Sequence, residues 1–317
     1  MNFEPPTAAE RLKAIGNTEG IEQTLRKALE PADDFEPISR PQPGDWLAVH
    51  YEPGQTFDEF AKYKPNRPDK IRNKIYLQPL GEFPKMQVPL TQTLKEYASA
   101  YFAMQVEVLP ALTLDGRNIT TRINTYTRNR QILTTDVLDI LKDNLPDDAF
   151  CLLAITMEDL YPEDSWNFVF GQASLRERVG VYSFARYDPA FYGDNRGKDY
   201  EKLILRRSCK VLVHETGHMF GLQHCIFFRC VMNGSNHLKE SDSRPMCLCP
   251  VCLRKLQYSI GFDVIARYGS LHRFYRNHQD ALRQAGFDDD VQWIAKRLER
   301  ILGADAARTV IEQKSMQ

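Results

Sequence analysis

Hydrophobic and polar positions change their period several times from about Thr91 onward, and each period predicts a helix or a strand. The clearest strand is Phe150–Met157, a continuous apolar run bounded by acidic residues, which is typical of a buried strand. Helices are predicted over Thr93–Phe102, Thr135–Leu145, Leu203–Phe220, Leu253–Ile260, Val264–Phe274 and Val291–Leu302. Further strands are predicted over Val106–Leu109, Phe168–Phe170 and Val179–Phe184. This order indicates an α+β fold with a mixed, twisted sheet.

The first 85 residues have a different pattern, with proline and charge interrupting every apolar run. Short helices are predicted over Ala8–Ile15 and Ile21–Leu29, and one strand over Trp46–Val49. Proline-rich segments seldom build a core of their own, so this part is interpreted as an extension that packs on the main domain. The predicted division is therefore an N-terminal extension (1–85), a catalytic domain (86–265) and a C-terminal helical appendage (266–317).

Composition excludes some classes of function. The chain has 317 residues, 43% of them hydrophobic and 26% charged, with a formal net charge of −1. This balance gives no electrostatic reason to expect nucleic acid or an anionic membrane as a partner. The sequence pattern indicates neither a signal peptide nor a membrane span, so a cytoplasmic or nuclear protein is expected. Composition does not indicate an oligomeric state.

The predicted helix Leu203–Phe220 and the residues after it carry a metal-ligand pattern. The run from His214 to His224 matches H-E-x-x-H-x-x-G-x-x-H at every specified position. Two histidines four residues apart project from one helix face, so His214 and His218 can bind the same ion. Gly221 lacks a Cβ and is expected to end the helix in a left-handed conformation that returns His224 to that ion. The spacing predicts a catalytic zinc with three histidine ligands and an open fourth position.

Glu215 lies next to the first of these histidines, where a carboxylate can act as general base on a zinc-bound water. Zinc lowers the pKa of its bound water to about 7 and polarises a carbonyl, which suits amide hydrolysis near neutral pH. The pattern therefore predicts a zinc metallopeptidase with a peptide substrate. The alternative from another class is an inactive, zinc-stabilised interaction module. Glu215 argues against this alternative, since a scaffold needs the histidines and not the carboxylate. Hydrolysis of a non-peptide amide is a third possibility.

Cysteine placement indicates a second metal. Five of the seven cysteines lie between residues 225 and 252: Cys225, Cys230, Cys247, Cys249 and Cys252. Two pairs, Cys225 with Cys230 and Cys249 with Cys252, suggest a closed four-thiolate zinc site. Reduced pairs, or disulfides in an oxidising compartment, are the alternative. Cys247 is either a spare thiol or a replacement ligand, and the other two, Cys151 and Cys209, are predicted to be small core residues.

The run His214–His224, followed by Cys225, Cys230, Met232 and the Cys249–Cys252 pair, resembles the archaemetzincin family of metallopeptidases. The segments 161–172 and 181–187 carry the same resemblance. It implies a metzincin-like catalytic domain, with a catalytic zinc on the three histidines and a structural zinc on Cys225, Cys230, Cys249 and Cys252. Two zinc ions per chain are therefore expected. The resemblance also implies that Met232 forms an apolar floor beneath the histidines, and that the activity is aminopeptidase-like on short peptides.

Peptide binding and transition-state stabilisation need further groups. Peptides commonly add a strand to an exposed sheet edge. Val179–Phe184, shortly before the active-site helix, is the candidate edge strand, and an interior strand without substrate contact is the alternative. An oxyanion donor is also required. His237 and Tyr258 lie near the motif in sequence, but the spacing does not choose between them.

Overall fold

The structure, a computed structural model, describes residues 3–83, 88–278 and 287–313. The helices are α1 (Ala8–Ile15), α2 (Gln23–Leu29), α3 (Trp46–Val49), α4 (Phe57–Lys62), α5 (Val88–Phe102), α6 (Thr134–Asp143), α7 (Tyr200–Met219), α8 (Leu238–Ser243), α9 (Pro250–Ile260), α10 (Val264–Asn277), α11 (Phe287–Leu302) and α12 (Ala304–Glu312). The strands are β1 (Lys74–Leu80), β2 (Gln105–Val108), β3 (Thr121–Ile123), β4 (Arg130–Leu133), β5 (Ala149–Thr156), β6 (Asp159–Tyr161), β7 (Gly171–Ala173) and β8 (Val179–Ser183). The predicted combination of helices with a mixed sheet is confirmed.

The described residues form two compact units. One, the helical unit, consists of residues 3–65, 221–278 and 287–313, and the other, the sheet unit, consists of residues 66–83 and 88–220. This grouping differs from the predicted boundaries at residues 85 and 265, because the first 65 residues pack with segments from the second half of the chain. A compact packing unit is not a functional domain, so the predicted three-domain division stays a prediction.

The sheet unit contains a five-stranded sheet in the order β2-β1-β5-β8-β7. Its strands are parallel except β7, which pairs antiparallel with β8. Every residue of the central strand β5 is buried, as expected for a strand covered on both faces. A second sheet has the order β3-β4-β6, with β4 antiparallel to β3 and parallel to β6.

Three strand predictions are corrected by the structure. Trp46–Val49 is the helix α3, because packing of this four-residue segment, in which Leu47 is buried, overrides the strand preference of its side chains. At Phe168–Phe170 only an isolated bridge forms, from Val169 to Leu160, and the strand begins at Gly171. Val179–Phe184 is interior and not an edge, since β8 lies between β5 and β7.

The strand β1 lies inside the predicted proline-rich extension. Pro79 and the charges before the strand conceal it in the sequence. It nevertheless lies between β2 and β5, with Ile75 and Leu77 fully buried. Pro79 is tolerated because β2 pairs only with Lys74–Leu77, so the missing N–H lies beyond that ladder.

The helix α7 is held at its C-terminal end by aromatic packing. Phe220 stacks on Phe150 of β5 and on Phe102, with ring centroids 4.2 and 5.6 Å apart. Asn66 Nδ2 donates to the carbonyl of Met219 at 3.3 Å, which satisfies one of the terminal acceptors of the helix. Although α7 has 20 residues, no helix in the described part of the chain is both long and apolar enough to cross a membrane.

The helical unit combines segments from the N-terminal and C-terminal parts of the described chain. Thr7 and Glu10 form a capping box that begins α1, and α1, α2 and α4 pack on α9. Arg297 of α11 is fully buried, where it donates to the carbonyl of Ala28 at 2.6 Å and to Asp34 Oδ2 at 3.0 Å. Through these contacts, residues 3–65 pack as part of the helical unit.

Candidate metal centres

In the sheet unit, α7 brings His214 and His218 together one helical turn apart. Their Nε2 atoms are 3.1 Å apart and their rings are almost perpendicular, at 89°. Two zinc–nitrogen bonds that meet near the tetrahedral angle would separate the nitrogens by about 3.3 Å. His214 is buried and His218 is half-buried. The pair therefore fits a shared zinc ion.

Glu215 follows His214 on α7 and is also buried. Its carboxylate lies against Gly171, the first residue of β7. A Cβ at residue 171 would be 2.7 Å from Glu215 Oε1, so any side chain there would collide with the carboxylate. Gly171 follows the predicted strand Phe168–Phe170 directly, and sequence reasoning missed this role. The only signal was a glycine between predicted strands, which often marks close approach of another group.

The third predicted ligand, His224, lies in the helical unit. Gly221 has a φ of +86°, which confirms the predicted left-handed turn after α7. Three residues later, His224 Nδ1 lies 2.7 Å from Glu52 Oε1. Trp46 Nε1 donates to the same oxygen at 2.8 Å. A histidine that donates from Nδ1 to a carboxylate has Nε2 available for a metal, an arrangement common among metal-ligating histidines.

The four predicted cysteine ligands also lie in the helical unit, and the structure brings them together. The sulfurs of Cys225, Cys230, Cys249 and Cys252 all lie within 4.8 Å of one another. Cys225 and Cys249 Sγ are 3.6 Å apart, far beyond a disulfide bond of about 2.0 Å. Tetrahedral zinc with bonds of about 2.3 Å would separate its sulfurs by about 3.8 Å. The cluster therefore fits a closed zinc site.

The charge state of these sulfurs also suits a cation. Hydrogen bonds from Cys230, Cys249 and Cys252 hold the pKa of the Cys225 thiol well below its ordinary value. Burial raises the pKa of the Cys249 thiol well above its ordinary value. Four thiolates in so small a volume require a positive ion among them.

Two local structures position the sulfurs. The first is a turn closed by the buried Asn233, whose Nδ2 donates to the carbonyl of Cys225 at 2.7 Å and whose Oδ1 accepts from the Cys230 N–H at 2.7 Å. The second is the start of α9, where Cys249 is the N-cap residue, Pro250 follows it and Cys252 lies in the first turn. A helix N-terminus favours negative charge and therefore thiolates. Sequence reasoning missed Asn233, which no spacing rule marks.

The remaining cysteines lie outside this four-sulfur group. Cys151 and Cys209 are fully buried in the sheet unit, as predicted for small core residues. Cys247 is half-buried, and its carbonyl accepts from the Val231 N–H at 3.0 Å. Within the described residues, the four-sulfur group does not include Cys247.

A third group of possible ligands, Asp45, His237 and Glu240, is accounted for by its own hydrogen bonds. His237 Nδ1 accepts from the Glu240 N–H at 3.2 Å and thereby caps α8, and its Nε2 lies 3.2 Å from Asp45 Oδ1. Glu240 Oε1 accepts from the Trp46 N–H at 2.9 Å. Tyr258, the other residue considered as an oxyanion donor, packs edge-on against Phe57. These contacts are structural.

Comparison with known proteins gives the class of the molecule. Residues 102–258 match peptidase family M54. Over 285 residues the chain is 41% identical to archaemetzincin-2 of Macaca fascicularis, a match that covers 80% of this chain and 79% of that protein. Over 260 residues it is 34% identical to archaemetzincin-1 of Mus musculus, covering 73% of this chain and 52% of that protein. These sequence matches indicate a zinc-dependent metallopeptidase, and the candidate metal centres agree with that class.

The chain belongs to the archaemetzincin family. A crystal structure of archaemetzincin from Methanopyrus kandleri is 30% identical, with a TM-score of 0.46, and the match covers 61% of this chain and 97% of that one. The family match and the 41% identity to archaemetzincin-2 confirm the resemblance stated from the motif residues. Membership of a peptidase family implies peptide substrates.

Proposed function

We propose that the chain hydrolyses peptide bonds with a zinc ion held by His214, His218 and His224, and with Glu215 as general base. The observation that carries this proposal is the placement of His214, Glu215 and His218 within about one turn of α7, with the two Nε2 atoms 3.1 Å apart. The Nδ1 contact of His224 with Glu52 supports its role as third ligand, because it leaves Nε2 available.

When bound, the zinc would supply Lewis acidity toward the scissile carbonyl and acidify water to a pKa of about 7. The protein contributes the proton transfers. Glu215 takes a proton from the attacking water at a carboxylate oxygen and passes it to the nitrogen of the leaving amine. Gly171 keeps this carboxylate in place without a side chain that would displace it. General acid–base catalysis of this kind contributes roughly 10²–10⁴-fold to a rate.

A second zinc ion, bound by Cys225, Cys230, Cys249 and Cys252, would have a structural role. All four sulfurs are buried, and four ligands fill a tetrahedral ion, which leaves no position for a substrate. The protein would then hold two zinc ions per chain. Cysteines that are not oxidised to disulfides persist in a reducing compartment, which agrees with a cytoplasmic or nuclear location.

The substrate is proposed to lie along β7, the edge strand that carries Gly171. A peptide paired with β7 would run past Gly171 and so past the carboxylate of Glu215. This places the scissile bond at the general base, in a metzincin-like arrangement. The aminopeptidase preference follows from the family resemblance, and peptides with free or acetylated N-termini test it directly.

The experiment that tests the function replaces Glu215 by Gln in the full chain. We expect Glu215→Gln to retain two zinc ions and to lose at least 10²-fold in hydrolysis of a peptide library, because the amide cannot accept the proton. Zinc is measured by elemental analysis and cleavage by mass spectrometry. The matched control is Glu201→Gln, an exposed glutamate on the same helix, which should behave as wild type.

Two results would contradict the proposal. Equal cleavage by Glu215→Gln and Glu201→Gln would remove Glu215 as the base. A wild-type chain that binds zinc only through cysteines and cleaves nothing in the library would favour the zinc-stabilised interaction module instead.

A further inference from the structure

Glu52 contacts the third predicted zinc ligand from a part of the chain that the motif does not include. It lies outside residues 102–258, which match the peptidase family. Its Oε1 is 2.7 Å from His224 Nδ1, and both side chains are about one fifth exposed. A charge-assisted hydrogen bond of this length, only partly open to solvent, restricts the rotation of the imidazole.

Trp46 holds Glu52 in turn. Its Nε1 donates to Glu52 Oε1 at 2.8 Å, and its ring lies edge-on to His224, with centroids 5.0 Å apart. The indole packs directly on Gly234, where any Cβ would collide with it. The hydrogen bond to the carboxylate and the edge-on contact with the indole together restrict the orientation of the His224 ring.

The backbone of Trp46 is fixed as well. Its N–H donates to Glu240 Oε1 at 2.9 Å, and Asn236 Nδ2 donates to the carbonyl of Gly44 at 3.0 Å. The third ligand is thus supported by a connected set of hydrogen bonds within the helical unit. The set joins residues 44–52 to residues 224–240, which explains why a segment so distant in sequence can orient a ligand.

We propose that Glu52 and Trp46 are positioning residues for the catalytic zinc, which act by fixing the tautomer and the orientation of His224. Glu52 accepts a hydrogen bond from the Nδ1–H of His224. The Nε2 lone pair is then directed away from Glu52 and toward the ion. Trp46 keeps the carboxylate in the position where it can do so. This inference rests on the proposed function, because it assumes that His224 is a zinc ligand.

The test compares Glu52→Ala, Glu52→Gln and Trp46→Phe with Glu30→Gln, an exposed glutamate of the same N-terminal region. Zinc affinity is measured by chelator competition on the full chain. Cobalt substitution then distinguishes the sites, since cysteine ligands give thiolate-to-cobalt charge-transfer bands and a histidine site does not. We expect Glu52→Ala to weaken the histidine site by roughly 10–100-fold and to leave the cysteine site unchanged.

The two milder variants keep the proposal testable if Glu52→Ala folds poorly. Glu52→Gln retains an acceptor, and Trp46→Phe retains the packing but loses the indole N–H. Each should therefore weaken the histidine site by less than Glu52→Ala does. If all three variants bind zinc at the histidine site as tightly as Glu30→Gln, the positioning role is wrong although the proposed function stands. If wild type shows only the thiolate site, both fail together.

Discussion

The histidine pair of the sheet unit and the cysteine cluster of the helical unit suit a metal in two different ways. His214 and His218 lie on one regular helix, and His218 is half-buried. The four cysteines lie on an irregular turn and a helix start, and all are buried. A helix can present two ligands by its period alone, whereas a closed tetrahedral site needs separate chain segments to converge. This difference is the one expected if, as proposed, the first site is catalytic and the second is structural.

The largest effect that separates the two sites is expected from Cys249→Ser. Loss of one of four buried ligands should release the structural zinc and, because metal binding contributes folding free energy, unfold at least part of the helical unit. Zinc content should fall, and amide hydrogen exchange should show lost protection in residues 221–278. The zinc bound by histidines is measured in the same sample by cobalt substitution.

Cys247→Ser is the matched control for this variant. It removes a cysteine from the same stretch that lies outside the four-sulfur group in the described residues. It should keep both zinc ions. If Cys249→Ser and Cys247→Ser had the same zinc content and protection, the structural role of the cluster would be refuted.

A smaller effect, limited to catalysis, is expected from Gly171→Ala. The added Cβ would lie 2.7 Å from Glu215 Oε1, so the carboxylate must move. Misplacement of a catalytic group by about 1 Å can cost roughly 10²-fold, and we expect kcat to fall by about 10–100-fold. Zinc content and thermal stability should change little.

Gly197→Ala tests whether this loss is specific to the site. No atom lies within 4 Å of a Cβ built at Gly197, and neither glycine has a positive φ, so the two substitutions differ in their surroundings and not in backbone strain. Equal kcat values for the two variants would show that Gly171 does not constrain Glu215.

The smallest effect concerns the pH dependence of the helical unit. Burial, assisted by Arg276 and Arg273, lowers the pKa of His272 from 6.5 to about 4. Below pH 6.5 the unfolded chain therefore binds a proton that the folded chain does not bind, and the free energy of unfolding falls as the pH drops toward 4. His272→Gln, which does not titrate, should show a shallower fall between pH 6.5 and 4.

Denaturant unfolding of wild type and His272→Gln at a series of pH values measures this difference. Acid also releases zinc from both proteins, but that contribution is common to them and cancels in the comparison of slopes. Equal slopes would mean that His272 titrates alike in the folded and unfolded chains.

The parts of the site that follow a local rule could be predicted from the sequence. A spacing of four residues places His214 and His218 on one helix face. The absence of a Cβ at Gly221 explains the turn there, whose φ is +86°. The spacing of the two cysteine pairs also indicated the four-sulfur group, although it left Cys247 open as a replacement ligand. In each case the residues that cooperate are close in sequence, or repeat a known ligand pattern.

The parts that depend on distant contacts could not be predicted. Glu52 contacts His224, Gly171 contacts Glu215, and neither pair has a spacing rule. The candidate edge strand Val179–Phe184 is the interior strand β8, in agreement with the alternative, and the three-residue edge strand β7 is too short for a period to mark it. Pro79 concealed the strand β1 in the sequence. Its missing N–H does not interrupt the pairing with β2, because that pairing ends at Leu77.

The burial of Arg297 against Ala28 and Asp34 has a consequence for the order of assembly. A ribosome delivers the described residues of the sheet unit, 66–83 and 88–220, before it reaches residue 297, whereas the helical unit lacks one of its fully buried residues until residue 297 is added. Ala28 and Asp34 therefore cannot form these contacts until about 260 further residues have been synthesised. The cysteines are synthesised during that interval, before the unit that encloses them can close.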